Sequence, residues 1–267
     1  MSQPDASDVD GDSLRPLPYL TFAVIVIGYL AIIQGGGMLV TALFDVDESF
    51  LTTRDVLYNM WIPLGAALVY TYAVIAILGW WRPVLREARR ARGWVWTIPI
   101  IFAVCALVAI DYAALADRTL GYVMALFVAT QFVGWGEEGM FRGIGVTTLR
   151  SHGLTEGKVA LWSSVIFGAV HLSNALGHGA QAVPQALAVS FAGYFFYLMR
   201  RVSGGNVLNS VLHGLFDFSL LTGTVVLVDQ DPYLGSLAAI LAYVVAAAVV
   251  LVRRNRVGRL DGQSAAV

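Results

Sequence analysis

The stretch LGYVMALFVATQFVGWGEEGMFRG, residues 120–143, sets an apolar run directly against two carboxylates and an arginine. An unpaired charge inside a bilayer costs at least about 2.5 to 3.5 kcal/mol, so Glu137, Glu138 and Arg142 need a reason to lie here. Ionisable residues within membranes usually face the interior of a helix bundle and pair with one another. The stretch therefore predicts a helix that ends in a polar site at or within a membrane.

The composition of the whole chain also indicates a membrane protein. Of its 267 residues, 58% are hydrophobic and 13% are charged, against about 45 to 50% and about 25% in soluble domains. The formal net charge of -1 gives no indication of a nucleic-acid partner. The single cysteine, Cys105, excludes an internal disulfide and a multi-cysteine metal site.

Apolar runs of roughly 20 residues can cross the hydrocarbon core as helices. The chain contains eight candidates: 18–43, 57–81, 94–116, 120–136, 158–176, 183–199, 205–228 and 234–252. They predict an all-α fold, a polytopic transmembrane helix bundle of about eight spans in the cell membrane. Residues 18–252 form this membrane domain, preceded by a disordered acidic tail over 1–17 and followed by a basic cytoplasmic tail over 253–267.

The arginines predict the orientation of this bundle. Loops rich in arginine remain in the cytoplasm, and the chain has such segments at 82–92, at 200–201 and after 252. Eight crossings place all three on one side, so both termini are predicted to be cytoplasmic. We interpret these arginines as determinants of topology rather than as a binding site for lipid head groups.

Asp111, near the outer end of the run 94–116, is interpreted as interfacial. Six further ionisable residues stand out in or beside the apolar runs, namely Glu137, Glu138, Arg142, His171, His213 and Asp217. Residues four apart share a helix face, so Glu138 is predicted to pair with Arg142, and His213 with Asp217. Glu137 lacks such a partner, and a carboxylate of this kind in a low-dielectric site suits a general base. The six are predicted to converge from three helices in the bundle core.

Two hydrolytic chemistries use this set. In the first, Glu137 takes a proton from water while His213 and Asp217 stabilise an oxyanion. In the second, some of Glu137, His171, His213 and Asp217 hold a divalent metal such as zinc, which acidifies the water. The sequence contains no H-E-x-x-H motif, so the metal interpretation lacks its sharpest signature. It contains no G-x-S-x-G motif either, and nucleophilic catalysis has no candidate.

Three short motifs resemble a known family. EEGMFR (137–142), FGAVH (167–171) and HGLFD (213–217) are similar, in order and spacing, to the EExxxR, FxxxH and HxxxN or HxxxD motifs of the CPBP family. This family comprises CAAX proteases and bacteriocin-processing enzymes, including the type II CAAX prenyl endopeptidases. The similarity covers about residues 134–220.

The resemblance implies an eight-helix intramembrane endopeptidase whose site opens toward the cytoplasm and the lipid. It implies that Glu137 and His171 activate water, that His213 and Asp217 lie at the oxyanion, and that Glu138 and Arg142 support the site. The prenyl proteases carry asparagine where this chain has Asp217. An ionised carboxylate only accepts hydrogen bonds, so Asp217 serves an oxyanion only when protonated, and otherwise binds a metal or orients His213.

Two other function classes fit the same residues. A non-enzymatic membrane partner, such as an immunity protein, would keep the fold for binding alone. A proton-coupled transporter would use the carboxylates and histidines as a relay. For the protease, the expected partners are the bilayer and a membrane-associated peptide or protein, prenylated or not, and no nucleic acid.

Overall fold

A computed structural model describes residues 14–44, 46, 50–174, 182–224 and 234–258. Its helices are α1 Tyr19–Phe44, α2 Thr53–Leu78, α3 Trp81–Leu85, α4 Thr97–Ala109, α5 Tyr112–Ala116, α6 Leu120–Glu137, α7 Val146–Ser151, α8 Glu156–Val170, α9 Ala182–Ser203, α10 Val207–Thr224 and α11 Leu234–Val252. The described residues contain no β-strand, only two isolated bridges, so the prediction of an all-α fold is confirmed. Residues 1–13 and 259–267 of the two predicted tails lie outside the described residues.

Among the described residues, three helices, α1, α2 and α11, are long and apolar enough to cross a membrane. Their outer faces are strongly apolar, as shown by Leu20 and Ile77, which are 77% and 84% exposed. The shorter helices α4 and α10 are also apolar. The count of about eight spans stays a prediction.

Two predicted helix boundaries were wrong. The run 94–116 is broken after Ala109, because the backbone becomes extended at Ile110 and the Asp111 carboxylate accepts a hydrogen bond from the Ala114 amide, which starts α5. The run 120–136 does not end at its charges. It continues through a π-helical segment, Glu138–Gly145, into α7. Buried side chains stabilise this continuation, since every residue of the π segment is buried.

The helices surround an aromatic centre. Phe102 of α4 contacts Phe196 of α9 at 5.2 Å and Phe216 of α10 at 4.5 Å between ring centroids. Tyr243 of α11 packs edge-on against Phe216 at 5.5 Å. These rings join four helices, and burial of each ring removes a large apolar area from contact with solvent. They support the helix face of α10 that carries the ionisable residues.

Helices α6 and α10 approach each other most closely at two glycines. A Cβ atom on Gly134 would lie 2.6 Å from the Gly214 nitrogen and closer still to the Ser210 carbonyl oxygen. Backbone atoms cannot yield to such an overlap, so the two helices contact each other only while these positions lack side chains. This contact brings the carboxylates at the end of α6 to the middle of α10.

We expect Gly134→Ala to lower the apparent unfolding temperature by several degrees, since overpacking costs about 1 to 3 kcal/mol. Gly121→Ala is the matched control in the same helix, because its nearest neighbour would be the Thr119 hydroxyl at 4.0 Å. Thermal unfolding of the detergent-purified protein measures both changes. Equal unfolding temperatures for the two variants would contradict the close contact.

Arginines from α7 and α9 bind the segment between α3 and α4 and hold it against the bundle. Arg200 of α9 is buried and donates to Glu87 at 2.9 Å and to the carbonyl oxygens of Val84 and Arg142 at 2.8 and 2.7 Å. Arg150 bridges Glu87 and Glu156, each at 2.9 Å. Burial alone would raise the pKa of Glu156, but its arginine partners and the Tyr197 hydroxyl together lower it to about 2. The negative charge of Glu156 is therefore neutralised by these arginine partners.

Candidate active site

Glu138 is the most firmly held carboxylate of the predicted set. It is completely buried, and its Oε1 lies 3.1 Å from Arg142 Nη1 and 2.9 Å from His213 Nδ1. The Asn209 side-chain amide donates to its other oxygen, and Asn206 donates to its backbone carbonyl at 2.7 Å. Both carboxylate oxygens thus have partners, which suits a supporting rather than a reacting group.

The predicted Glu138–Arg142 ion pair is present, although the backbone between them is π-helical rather than α-helical. Short π segments are frequent at functional sites because they redirect side chains without ending the helix. The Arg142 guanidinium lies 3.9 Å from the centroid of Phe167 and 5.2 Å from that of Phe196. One carboxylate and two aromatic faces therefore fix this cation at the centre of the bundle.

His213 lies among three carboxylates. Its Nδ1 contacts Glu138, while its Nε2 lies 3.7 Å from Glu137 Oε2 and 3.5 Å from Asp217 Oδ2. Its ring stacks on Phe196 at 4.3 Å. Ionised carboxylates only accept, so this arrangement suits an imidazolium that donates from both nitrogens. Neither Nε2 separation is that of a good hydrogen bond, which leaves the Nε2 hydrogen available to another acceptor.

Glu137 and His171 line one small cavity of about 70 Å³, together with Tyr29 and Gln34. Glu137 Oε2 is buried, and no described residue donates a hydrogen bond to it. His171 Nδ1 lies 2.8 Å from the Phe167 carbonyl oxygen. A carbonyl only accepts, so Nδ1 carries the hydrogen, and Nε2 of the neutral ring is an acceptor. The cavity has the volume and the polar partners to hold water.

Side-chain contacts connect five of the six predicted residues. Glu138 contacts Arg142 and His213, and His213 in turn lies within 4 Å of Glu137 and Asp217. The sixth residue, His171, lines the same cavity as Glu137. Sequence reasoning missed Asn206 and Asn209. Asn209, His213 and Asp217 are four residues apart and share one face of α10, and Asn206 directly precedes this helix, three residues before Asn209; this spacing was visible in the sequence. It also missed Tyr29 and Gln34, whose helix carried no recognised motif.

No three His, Cys, Asp or Glu side chains in the described ranges form a group arranged to hold a metal ion. His213 gives its Nδ1 to Glu138, and its Nε2 is the nitrogen that faces Glu137 and Asp217. The metal interpretation stays a prediction.

Comparison with known proteins agrees with the three motifs. Residues 119–219 match the model of the family described as type II CAAX prenyl endopeptidase Rce1-like. This segment is Rce1-like. The match confirms the resemblance predicted from the sequence, and it contains all six ionisable residues.

The Rce1-like segment runs from the start of α6 into α10, so it includes the close contact of these two helices at Gly134 and Gly214. The described residues also include three helices long and apolar enough to cross a membrane, which indicates an integral membrane protein, and the matched family is one of CAAX-type proteases. The chain has no match among curated proteins or among solved structures.

Proposed function

We propose that this protein is an intramembrane endopeptidase that hydrolyses peptide bonds of membrane-associated substrates, with Glu137 and His171 activating the water. The observation that carries the proposal is the cavity that these two side chains line together, and no described residue donates a hydrogen bond to Glu137 Oε2. A buried carboxylate of this kind needs a donor, and water in a polar cavity supplies one.

In the first step, a cavity water donates one hydrogen bond to Glu137 and one to Nε2 of His171. Glu137 accepts the proton as the water oxygen attacks the carbonyl carbon of the substrate. The fixed hydrogen bond from Nδ1 to Phe167 keeps the acceptor nitrogen of His171 directed away from its own helix backbone. General-base assistance of this kind contributes about 10²- to 10⁴-fold in rate.

In the second step, the tetrahedral intermediate carries a negative charge on the former carbonyl oxygen. His213 supplies the donor, since its Nε2 is not committed to a short hydrogen bond and its Nδ1 is anchored on Glu138. Asp217 orients this ring and balances its charge, which is the role that an ionised carboxylate can fill. Glu137 then returns its proton to the leaving amine, and the C–N bond breaks to give a carboxylic acid and an amine.

We further propose the membrane topology that the sequence predicts, a bundle of about eight spans in the cell membrane with both termini in the cytoplasm. The substrates are membrane peptides, prenylated CAAX peptides among them. The match of the segment 119–219 to prenyl endopeptidases supports this class of substrate. The aspartate at 217, where prenyl proteases carry asparagine, makes other membrane peptides equal candidates.

The test is cleavage by the purified protein in liposomes, with a prenylated CAAX peptide and a pool of membrane peptides offered separately. We expect His171→Ala to lower the rate at least about 100-fold. His152→Ala is the matched control, because that histidine contacts the Leu17 carbonyl and does not line the cavity. A chelator is added in a second series, and unchanged rates are expected from the metal-free mechanism.

Each rival class gives a different result. A folded wild type that cleaves neither substrate set favours a non-enzymatic membrane partner. Proton flux across the liposomes without cleavage, lost in His171→Ala, favours the transporter. Rates abolished by the chelator and restored by zinc would show that a metal takes part, and would contradict activation of the water by Glu137 and His171 alone.

A further inference from the structure

A second, much larger cavity lies outside the candidate active site. It measures about 1060 Å³ and is a groove between α8, α9 and the end of α11. None of its lining residues lines the cavity of Glu137 and His171. The groove therefore has room for a ligand that does not reach the reacting groups.

The two ends of this groove differ in character. Along α8 and α9 its wall is apolar, and Leu161 and Leu187 are 58% and 64% exposed on it. At the other end lie three cations, Lys158, Arg201 and Arg254. A ligand complementary to the whole groove is therefore an amphiphile with an apolar chain and an anionic head.

The cationic end has a surplus of positive charge. Its one carboxylate, Glu156, is already in contact with Arg89 and Arg150 at 2.8 and 2.9 Å and with the Tyr197 hydroxyl. Within the described part of the chain, Lys158 and Arg254 have no ion pair. No protein carboxylate there balances these two cations.

The backbone at the start of α8 adds to the positive electrostatic field at this end of the groove. Helix α8 begins at Glu156, beside Lys158, and no side-chain hydrogen bond caps it. The first amides of a helix point outward and favour an anion. The start of α8, Lys158 and Arg254 thus all line the same groove.

We propose that this groove binds an anionic phospholipid, with the phosphate at Lys158, Arg254 and the start of α8, and an acyl chain along the wall formed by Leu161 and Leu187. Basic pockets between membrane helices recognise anionic head groups in this way, so Arg254, interpreted from the sequence as a determinant of topology alone, has a second role in this proposal. A free phosphate would make no use of the apolar wall. A peptide substrate bound here would not reach Glu137, which lines a different cavity.

The test uses the full-length protein, first delipidated in detergent and then titrated with phosphatidylglycerol or with phosphatidylcholine of the same acyl chains. Native mass spectrometry counts the bound lipids. We expect selective retention of phosphatidylglycerol, and at least about tenfold weaker binding by the double variant Lys158→Ala/Arg254→Ala. The matched control is Arg253→Ala/Arg256→Ala, which removes the same charge from the same region but no lining residue.

A third variant, Val165→Trp, fills the apolar part of the groove without changing its charge, and we expect it to weaken retention of phosphatidylglycerol too. Equal retention of the two lipids, or equal loss in both double variants, would overturn the proposal. Displacement of phosphatidylglycerol by a prenylated peptide would make the groove a substrate site instead. None of these readouts needs peptide cleavage, so the result is independent of the proposed protease activity.

Discussion

Glu137→Gln is expected to lower the rate of peptide cleavage about 10²- to 10⁴-fold, the contribution of a general base. Glutamine keeps the shape of the side chain but cannot take a proton from water, and it replaces one acceptor oxygen by an amide donor. Glu137 Oε2 accepts no hydrogen bond from the described residues, and its contact with His213 Nε2 is long at 3.7 Å, so little stability is lost with its charge. The unfolding temperature of this variant should therefore stay close to that of the wild type.

Initial rates at saturating and at limiting substrate distinguish this loss from weaker binding. A base acts in the transition state, so kcat should fall while KM changes little. Asp117→Asn, which replaces an exposed carboxylate by its amide, serves as the control and should retain full activity. A Glu137→Gln variant that kept a tenth or more of the wild-type rate would exclude Glu137 as the base.

Glu138→Ala should produce the largest loss of stability. It leaves the completely buried Arg142 without a carboxylate, and removal of one partner from a buried ion pair costs about 3 to 5 kcal/mol. With roughly 2 to 4 °C per kcal/mol for a chain of about this size, the apparent unfolding temperature should fall by about 6 to 20 °C. Differential scanning fluorimetry in detergent measures this change.

The companion variants separate the ion pair from the rest of the site. Arg142→Met keeps an apolar side chain between Phe167 and Phe196, and it leaves Glu138 with His213 and Asn209. Both single variants break the same contact. The double variant Glu138→Ala/Arg142→Met should therefore lose about 1 to 3 kcal/mol less unfolding free energy than the sum of the losses of the two single variants. Strictly additive losses would show that the pair contributes nothing as a pair.

The sequence was a good guide to the pairings within a helix. Glu138 with Arg142 and His213 with Asp217 follow from a spacing of four residues, and the structure has both contacts. Apolar composition likewise predicted an all-α fold. These inferences depend on local geometry, which the chain carries in its residue order.

Contacts between distant segments could not be predicted in the same way. The approach of His213 Nδ1 to Glu138 depends on two glycines, Gly134 and Gly214, which allow α6 and α10 to touch. The interruption at Asp111 was hidden because one polar residue in an apolar run is compatible with either a buried helix or a cap. The π-helical backbone after Glu138 depends on packing around it, and hydrophobic periodicity does not distinguish it from an α-helix.

Arg200 has a consequence for biogenesis. Its guanidinium bonds to the carbonyl of Pro83, which precedes it by 117 residues, and to the carbonyl of Arg142. At roughly 5 to 20 residues per second, a ribosome takes about 6 to 23 s to reach Arg200 after Pro83. During that interval the Pro83 carbonyl lacks this partner. Glu138 likewise gains its contacts with Asn209 and His213 only after those residues have been made, so the site is completed late in synthesis.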